Sequence, residues 1–149
     1  DNVILPNGDI YAEKGIWNKK KINSGVDDIC KKLSIKAPNT KTLVENLSGG
    51  NQQKVVLAKW LVRNIKLLIL DEPTRGIDVG AKQEIYSLIT EFAKQGMAII
   101  LISSDMPEVL SMSHRVGVIG EGKLLGILDR NQMSQNKIMK MIVEAKNNE

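Results

Sequence analysis

Leu67-Leu68-Ile69-Leu70-Asp71-Glu72 is an unbroken apolar run closed by two carboxylates. Four aliphatic residues in succession read as a strand covered on both faces, as in parallel sheets. An aspartate and a glutamate at the end of such a strand supply a metal anchor and a base. Upstream stands Leu47-Ser48-Gly49-Gly50-Asn51-Gln52. Glycines there let backbone N–H groups approach an anion, and a helix starting at that point adds its positive end. The two stretches together suggest nucleotide chemistry.

Working outward, Val55, Leu57, Ala58, Leu61 and Val62 predict a helix over residues 51–63, with Ser48 placed to cap its start. The strand follows at 66–71. Asp78 reads as the N-cap of a second helix, with Ile85, Leu88, Ile89 and Phe92 at helical spacing and Gly96 as a left-handed stop. Met97 to Ile102 is a second fully apolar strand. Asp105 and Pro107 start a short helix running through Leu110, and Arg115 to Ile119 makes a third strand. Gly120-Glu121-Gly122 turns into Lys123 to Leu128, which predicts a hairpin. A last helix over 135–146 buries Ile138, Met141, Ile142 and Ala145. Strands alternating with helices imply a parallel α/β architecture.

The first 46 residues are different: polar, lysine-rich and punctuated by Asn7-Gly8, Gly15, Gly25 and Pro38. They read as loop-rich, with a short helix from Val26 to Leu33 carrying Ile29 and Leu33 on one face.

A length of 149 residues suits one ordinary domain. With 42% hydrophobic and 26% charged residues the chain is globular, and 3% aromatic content argues against base-stacking platforms for single-stranded nucleic acid. The net charge of +4 is spread along the chain apart from Lys19-Lys20-Lys21, which reads as a solvated face rather than a nucleic-acid patch. One cysteine, Cys30, forms no disulfide framework and suits a reducing compartment. The longest apolar run, Met97 to Ile102, is too short to span a bilayer. The first residues lack the basic-then-apolar pattern of a secretory signal. The expected location is the cytoplasm, with any membrane role exerted through a partner.

Two longer motifs carry a family resemblance. Leu47-Ser48-Gly49-Gly50-Asn51-Gln52-Gln53-Lys54 and Leu70-Asp71-Glu72-Pro73-Thr74-Arg75-Gly76-Ile77-Asp78 resemble the ABC transporter ATPases. Asn51 and the run Thr74 to Lys82 are similar to the second nucleotide-binding half of bacterial simple-sugar importers of the galactoside and ribose type. The resemblance implies a P-loop NTPase fold, in which residues 1–46 are a remnant of the helical subdomain. Residues 47–149 would then carry the signature helix, Walker B strand, D-loop and C-terminal part of the ATPase core.

The resemblance further implies a composite site, with ATP clamped between the phosphate loop of one half and the glycine signature of the other. Ser48, Gly49, Gly50 and Gln52 are then the nucleotide-binding residues. Asp71 holds Mg²⁺, and Glu72 orients or deprotonates the attacking water. Asp78 is the D-loop aspartate that communicates across the dimer, beside its plain role as a helix cap. The implied partners are permease subunits in the membrane and, indirectly, an extracytoplasmic sugar-binding protein. Nucleic acid is not among them, and the implied location is the cytoplasmic face of the membrane.

Two features depart from the family pattern. Ser104 stands where the family places a switch histidine, which predicts weak hydrolysis at this half's own phosphate loop. His114, the only histidine, reads as a surface residue. Secondly, no G-x-x-x-x-G-K-[ST] loop occurs, and Gly8, Gly15 and Gly25 are wrongly spaced to make one. The expectation is therefore a C-terminal part of a longer ATPase that neither binds ATP tightly nor turns it over alone. Its sheet is incomplete between the strands at 97–102 and 115–119, which predicts oligomerisation, a swap or a rearranged strand order. The alternative functions are a soluble ABC ATPase acting on ribosomes or DNA, and a noncatalytic fragment that completes a partner's ATP site.

Overall fold

A computed structural model describes residues 1–147. In chain order the elements are α1 (Gly8–Tyr11), β1 (Ala12–Glu13), β2 (Ile16–Trp17), α2 (Lys19–Lys32), α3 (Gly49–Leu61) and β3 (Leu67–Asp71). There follow α4 (Val79–Lys94), β4 (Ala98–Ile102), α5 (Met106–Met112), β5 (Arg115–Gly120), β6 (Lys123–Asp129) and α6 (Gln135–Asn147). The chain divides into two compact units, one of residues 1–69 with 73–100, the other of residues 70–72 with 101 onward.

In the first unit α3 packs on α4 and α2. Leu33, Leu57, Ala58, Ile85 and Phe92 are almost wholly buried there. The α4 helix has both ends expected of it. The Ala81 N–H donates to Asp78 Oδ1 at 2.9 Å, and Gly96, at φ +90°, lets the Met97 N–H reach back to the Phe92 carbonyl at 3.1 Å.

The N-terminal segment is more ordered than its composition suggests. The α2 helix starts at Lys19, with Asn18 as N-cap accepting from the Lys21 N–H at 3.1 Å, so the lysine run is its first turn. Gly25 is no breaker. It lies inside α2 because a Cβ there would stand 2.8 Å from the Tyr11 hydroxyl oxygen. Asn7, expected in a turn, is fully buried instead: Nδ2 donates to the carbonyls of Val3 (2.8 Å) and Lys59 (2.7 Å), and Oδ1 accepts from Arg63 Nε (2.9 Å). Arg63 also pairs with Asp9, whose carboxyl that guanidinium holds below the usual range.

The parallel pair is β3 and β4. Within the first unit the Ala98 N–H donates to the Lys66 carbonyl, and within the second the Glu72 N–H donates to the Ile102 carbonyl, both at 2.9 Å, so the two strands ascend together. The expectation that these strands are covered on both faces is corrected. Leu68 and Leu70 are buried, whereas Ile69 is 59% exposed and Ile100 48%, because no element of the described chain covers that side. Among the described residues the strands form three two-stranded sheets, β1 with β2, β3 with β4 and β5 with β6.

In the second unit β5 and β6 pair antiparallel across Glu121 (φ +47°) and Gly122 (φ +72°), the two positive-φ residues that a tight hairpin requires. Val116, Val118 and Leu128 of the hairpin pack with Ile138 of α6. Met141 and Ile142 lie against that core, and Ala145 is half-buried.

A buried cation ties the first unit together. The Lys54 side chain is 3% exposed; its Nζ donates to the Ser34 carbonyl at 3.1 Å and to Glu84 Oε2 at 2.7 Å. The hydrogen bond and charge of Lys54, then the charge of Lys36, hold the Glu84 carboxyl below its ordinary value of 4.5. A carboxyl lowered on folding stabilises the fold above its unfolded value and loses that contribution as pH falls below 4.5 through the lowered one. Acid unfolding of Glu84→Gln, followed by circular dichroism, is expected to be shallower over that window than acid unfolding of the parent chain.

Candidate functional site

The glycine segment is built at the start of α3. Leu47 and Ser48 are extended, with ψ near 155° and 153°, and the helix starts at Gly49. The Gln52 N–H donates to the Ser48 carbonyl at 2.9 Å, which makes Ser48 the N-cap by position. The expected side-chain cap is absent. Ser48 Oγ instead accepts from Asn51 Nδ2 at 2.8 Å, so it does not take up the first-turn amides. No acidic residue sits in that turn, and Ser48 and Gly49 are exposed. A helix start neither capped by its own serine nor neutralised by a carboxylate is an anion-accepting end.

The two glycines serve different ends. At Gly49 a Cβ would meet Ile77 Cγ2 at 3.3 Å, a contact that a small shift relieves. At buried Gly50 it would meet the Ala81 Cβ at 2.6 Å, so only glycine lets the first turn of α3 seat against α4. Gly50→Ala is expected to cost about 1–3 kcal/mol by overpacking, read as a lower urea midpoint at unchanged slope. Gln52 turns its amide back on the loop, with Nε2 donating to the Leu47 carbonyl at 2.9 Å.

The acidic pair lies in the second unit. Asp71 ends β3 and is exposed. Glu72 adopts φ +47°, a left-handed conformation that costs a non-glycine residue of order 1–3 kcal/mol and turns its side chain out of the strand's alternation. Its Oε1 accepts from the Ser104 N–H at 2.8 Å. The structure thus joins two predicted residues, Glu72 and Ser104, through the backbone of the second. No sequence signal could have shown this, because a backbone N–H is the same whichever residue carries it.

Among the described residues no group of three or more His, Cys, Asp or Glu gathers as a metal cage. Asp71 stands exposed at the end of a strand, with one carboxylate open to solvent. Asp78 belongs to the first unit, where it caps α4 after the left-handed Gly76 (φ +76°). His114 is exposed, as expected. The sequence reading gave no role to Lys54 and Glu84, and used Asn51 only as a mark of the family resemblance. Lys54 at a buried helical position was the available signal, since a buried ammonium requires a partner.

Residues 2–75 match the family model described as ABC transporter. A Pseudomonas syringae pv. syringae (strain B728a) protein, whose name describes it as a ribose/galactose/methyl galactoside import ATP-binding protein, is 57% identical over 129 residues, 87% of this chain and 25% of that protein. A similarly named protein of Rhizobium meliloti (strain 1021) is 51% identical over 133 residues, 89% of this chain and 26% of that one. This chain spans about a quarter of the length of the curated relatives it matches.

Among solved structures, an inward-facing metal-chelate type ABC transporter aligns at a TM-score of 0.82 with 16% identity, over 97% of this chain and 57% of that one. CbiO1 from Clostridium perfringens, part of the ABC transporter complex cbiONQ, aligns at 0.66 with 29% identity, over 90% and 52%. Taken with the glycine helix start and the Asp71-Glu72 strand end, these matches show that the chain belongs to the ABC transporter ATP-binding family and has its P-loop NTPase-type α/β fold.

Proposed function

We propose that this chain is the C-terminal part of the second nucleotide-binding half of an ATPase that energises the import of simple sugars. Residues 1–46 then belong to the helical subdomain, and the remainder to the signature helix and ATPase core. The observation that carries the sugar class is the 57% identity, over 87% of the chain, with a protein named for ribose, galactose and methyl galactoside import.

In this reading Ser48, Gly49 and Gly50, steadied by Gln52, present the start of α3 to the γ-phosphate of ATP held on the opposite half. The helix end contributes roughly 0.3–2 kcal/mol toward an anion, and each charge-assisted hydrogen bond about 1.5–3 kcal/mol. Asp71 would hold Mg²⁺, which when bound neutralises phosphate charge. Glu72, held by the Ser104 N–H, orients or deprotonates the attacking water. Serine at the switch position supplies no cationic partner for the phosphate, so turnover at this half is slow. Asp78 links the D-loop to the start of α4 and communicates across the dimer.

The open apolar side of β3 and β4, with Ile69 and Ile100 exposed, is the surface that the phosphate-loop portion of the ATPase covers. Without that cover the chain is prone to oligomerise or swap strands. No described helix is long and apolar enough to cross a membrane. In this reading permease subunits supply the channel and the ATPase acts at the cytoplasmic face.

Reconstituting the assembled ATPase with its permease subunits in vesicles tests the reading. ATP-driven uptake of labelled ribose or a galactoside is expected. ATP turnover stimulated by ribosomes or DNA, without uptake of any sugar, would overturn it in favour of a soluble ABC ATPase.

A further inference from the structure

We infer that Asn51 is a positioning residue that sets the direction of the Ser48 hydroxyl, through a carboxamide locked by the backbone of the α2–α3 linker. The Lys36 N–H donates to Asn51 Oδ1 at 2.8 Å, although Lys36 is fifteen residues away along the chain. A backbone N–H can only donate, so this bond fixes which end of the carboxamide is oxygen. The other end, Nδ2, must then face Ser48, and it donates to Ser48 Oγ at 2.8 Å. With one lone pair of Oγ taken by an incoming N–H, the hydroxyl proton points away from Asn51 and stands available as a donor. A serine free to rotate, or one capping its own helix, would spend that oxygen on the first-turn amides and lose the fixed direction.

The linker that locks the carboxamide is itself held one turn further along α3. Lys54 Nζ donates to the Ser34 carbonyl at 3.1 Å and is fixed on its other side by Glu84 Oε2 at 2.7 Å. Ser34 adopts φ +50°, and its carbonyl and the Lys36 N–H both bond to side chains of α3. Asn51 and Lys54 are spaced i, i+3 and therefore share one helix face, so α3 holds the start of the linker at two points, Ser34 and Lys36. The chain of contacts runs from Glu84 through Lys54 and the linker to Asn51 and Ser48. Its product is a hydroxyl aimed as a donor, which is what an approaching phosphate oxygen needs.

The inference rests on Ser48 meeting a phosphate, and the test separates the two claims. In the chain by itself, Asn51→Ala is expected to speed hydrogen exchange at the Lys36 amide by about 2–10-fold, the loss of one ordinary hydrogen bond. In the assembled ATPase, Ser48→Ala is expected to raise the KM for ATP by about 10–100-fold, and Asn51→Ala by about 2–10-fold. Asn51→Ala added to Ser48→Ala is expected to raise it no further, because Asn51 acts only through the hydroxyl. A multiplicative penalty in the double variant, or unchanged exchange at Lys36, overturns the positioning role while leaving the phosphate contact standing. No effect of Ser48→Ala on KM overturns the phosphate contact, and the positioning role with it.

Discussion

Glu72→Gln in the assembled ATPase is expected to lower the turnover supported by this half by about 10²–10⁴-fold, the usual contribution of a positioned general base. The substitution is nearly isosteric. A glutamine oxygen still accepts from the Ser104 N–H, the bond made at 2.8 Å by Glu72, so the left-handed backbone at 72 keeps its support. Only charge and basicity are removed. Steady-state phosphate release by the assembled ATPase with the other half's site inactivated, with and without the substitution, checks this, and equal rates would mean that Glu72 serves as geometry alone in its own half. In the proposed role the carboxylate acts on the attacking water rather than on nucleotide affinity, so the loss is expected in kcat with little change in KM.

The largest stability effect is expected from Phe92→Ala. Phe92 is 1% exposed, lies on the buried face of α4 with Ile85, Leu88 and Ile89, and carries the Lys32 ammonium 5.8 Å from its ring centroid. It is the only phenylalanine in the chain. Removing the ring leaves a cavity that no other aromatic of that kind can fill, at a cost of about 3–5 kcal/mol. Loss of the Lys32 contact adds only a minor share at this exposed ammonium. Urea denaturation followed by far-UV circular dichroism would show the midpoint falling accordingly. A change below about 1 kcal/mol would mean that α4 is not the core element described here.

How much was legible in the sequence depends on whether the signal was local. Asp78 and Gly96 set both ends of α4 by side-chain and backbone chemistry within one turn, and both ends lie where expected. Glu121 and Gly122 likewise set the hairpin. The helix over residues 19–32 was only half visible, because Gly25 signals a break locally while its real reason, the Tyr11 ring against its Cα, comes from a residue fourteen positions earlier. Asn7 misled in the same way, as a turn former by type that is a buried hub by contact.

The apolar runs at 67–70 and 97–102 correctly announced parallel strands. The inference of cover on both faces failed because a run of aliphatic residues does not say whether this chain supplies the cover. Among the candidate residues, Ser48, Asp71 and Glu72 stood out by residue type and place in their motifs. The partners of the Asn51 carboxamide were not legible, because one of them, the Lys36 N–H, is fifteen residues away, and the backbone N–H of Ser104 was not, because every residue but proline carries one.

The central claim is that the start of α3 faces a triphosphate held by another polypeptide segment. ATP turnover by a nucleotide-binding half with an intact phosphate loop, measured with this chain added and again with its Gly49→Asp form, tests it most directly. The glycine is exposed and its nearest neighbour can shift, so an aspartate there is tolerated by the fold while its charge opposes phosphate. The account predicts stimulation by the parent chain and none by Gly49→Asp, with the two forms equal in circular dichroism. Equal stimulation by both forms would contradict it.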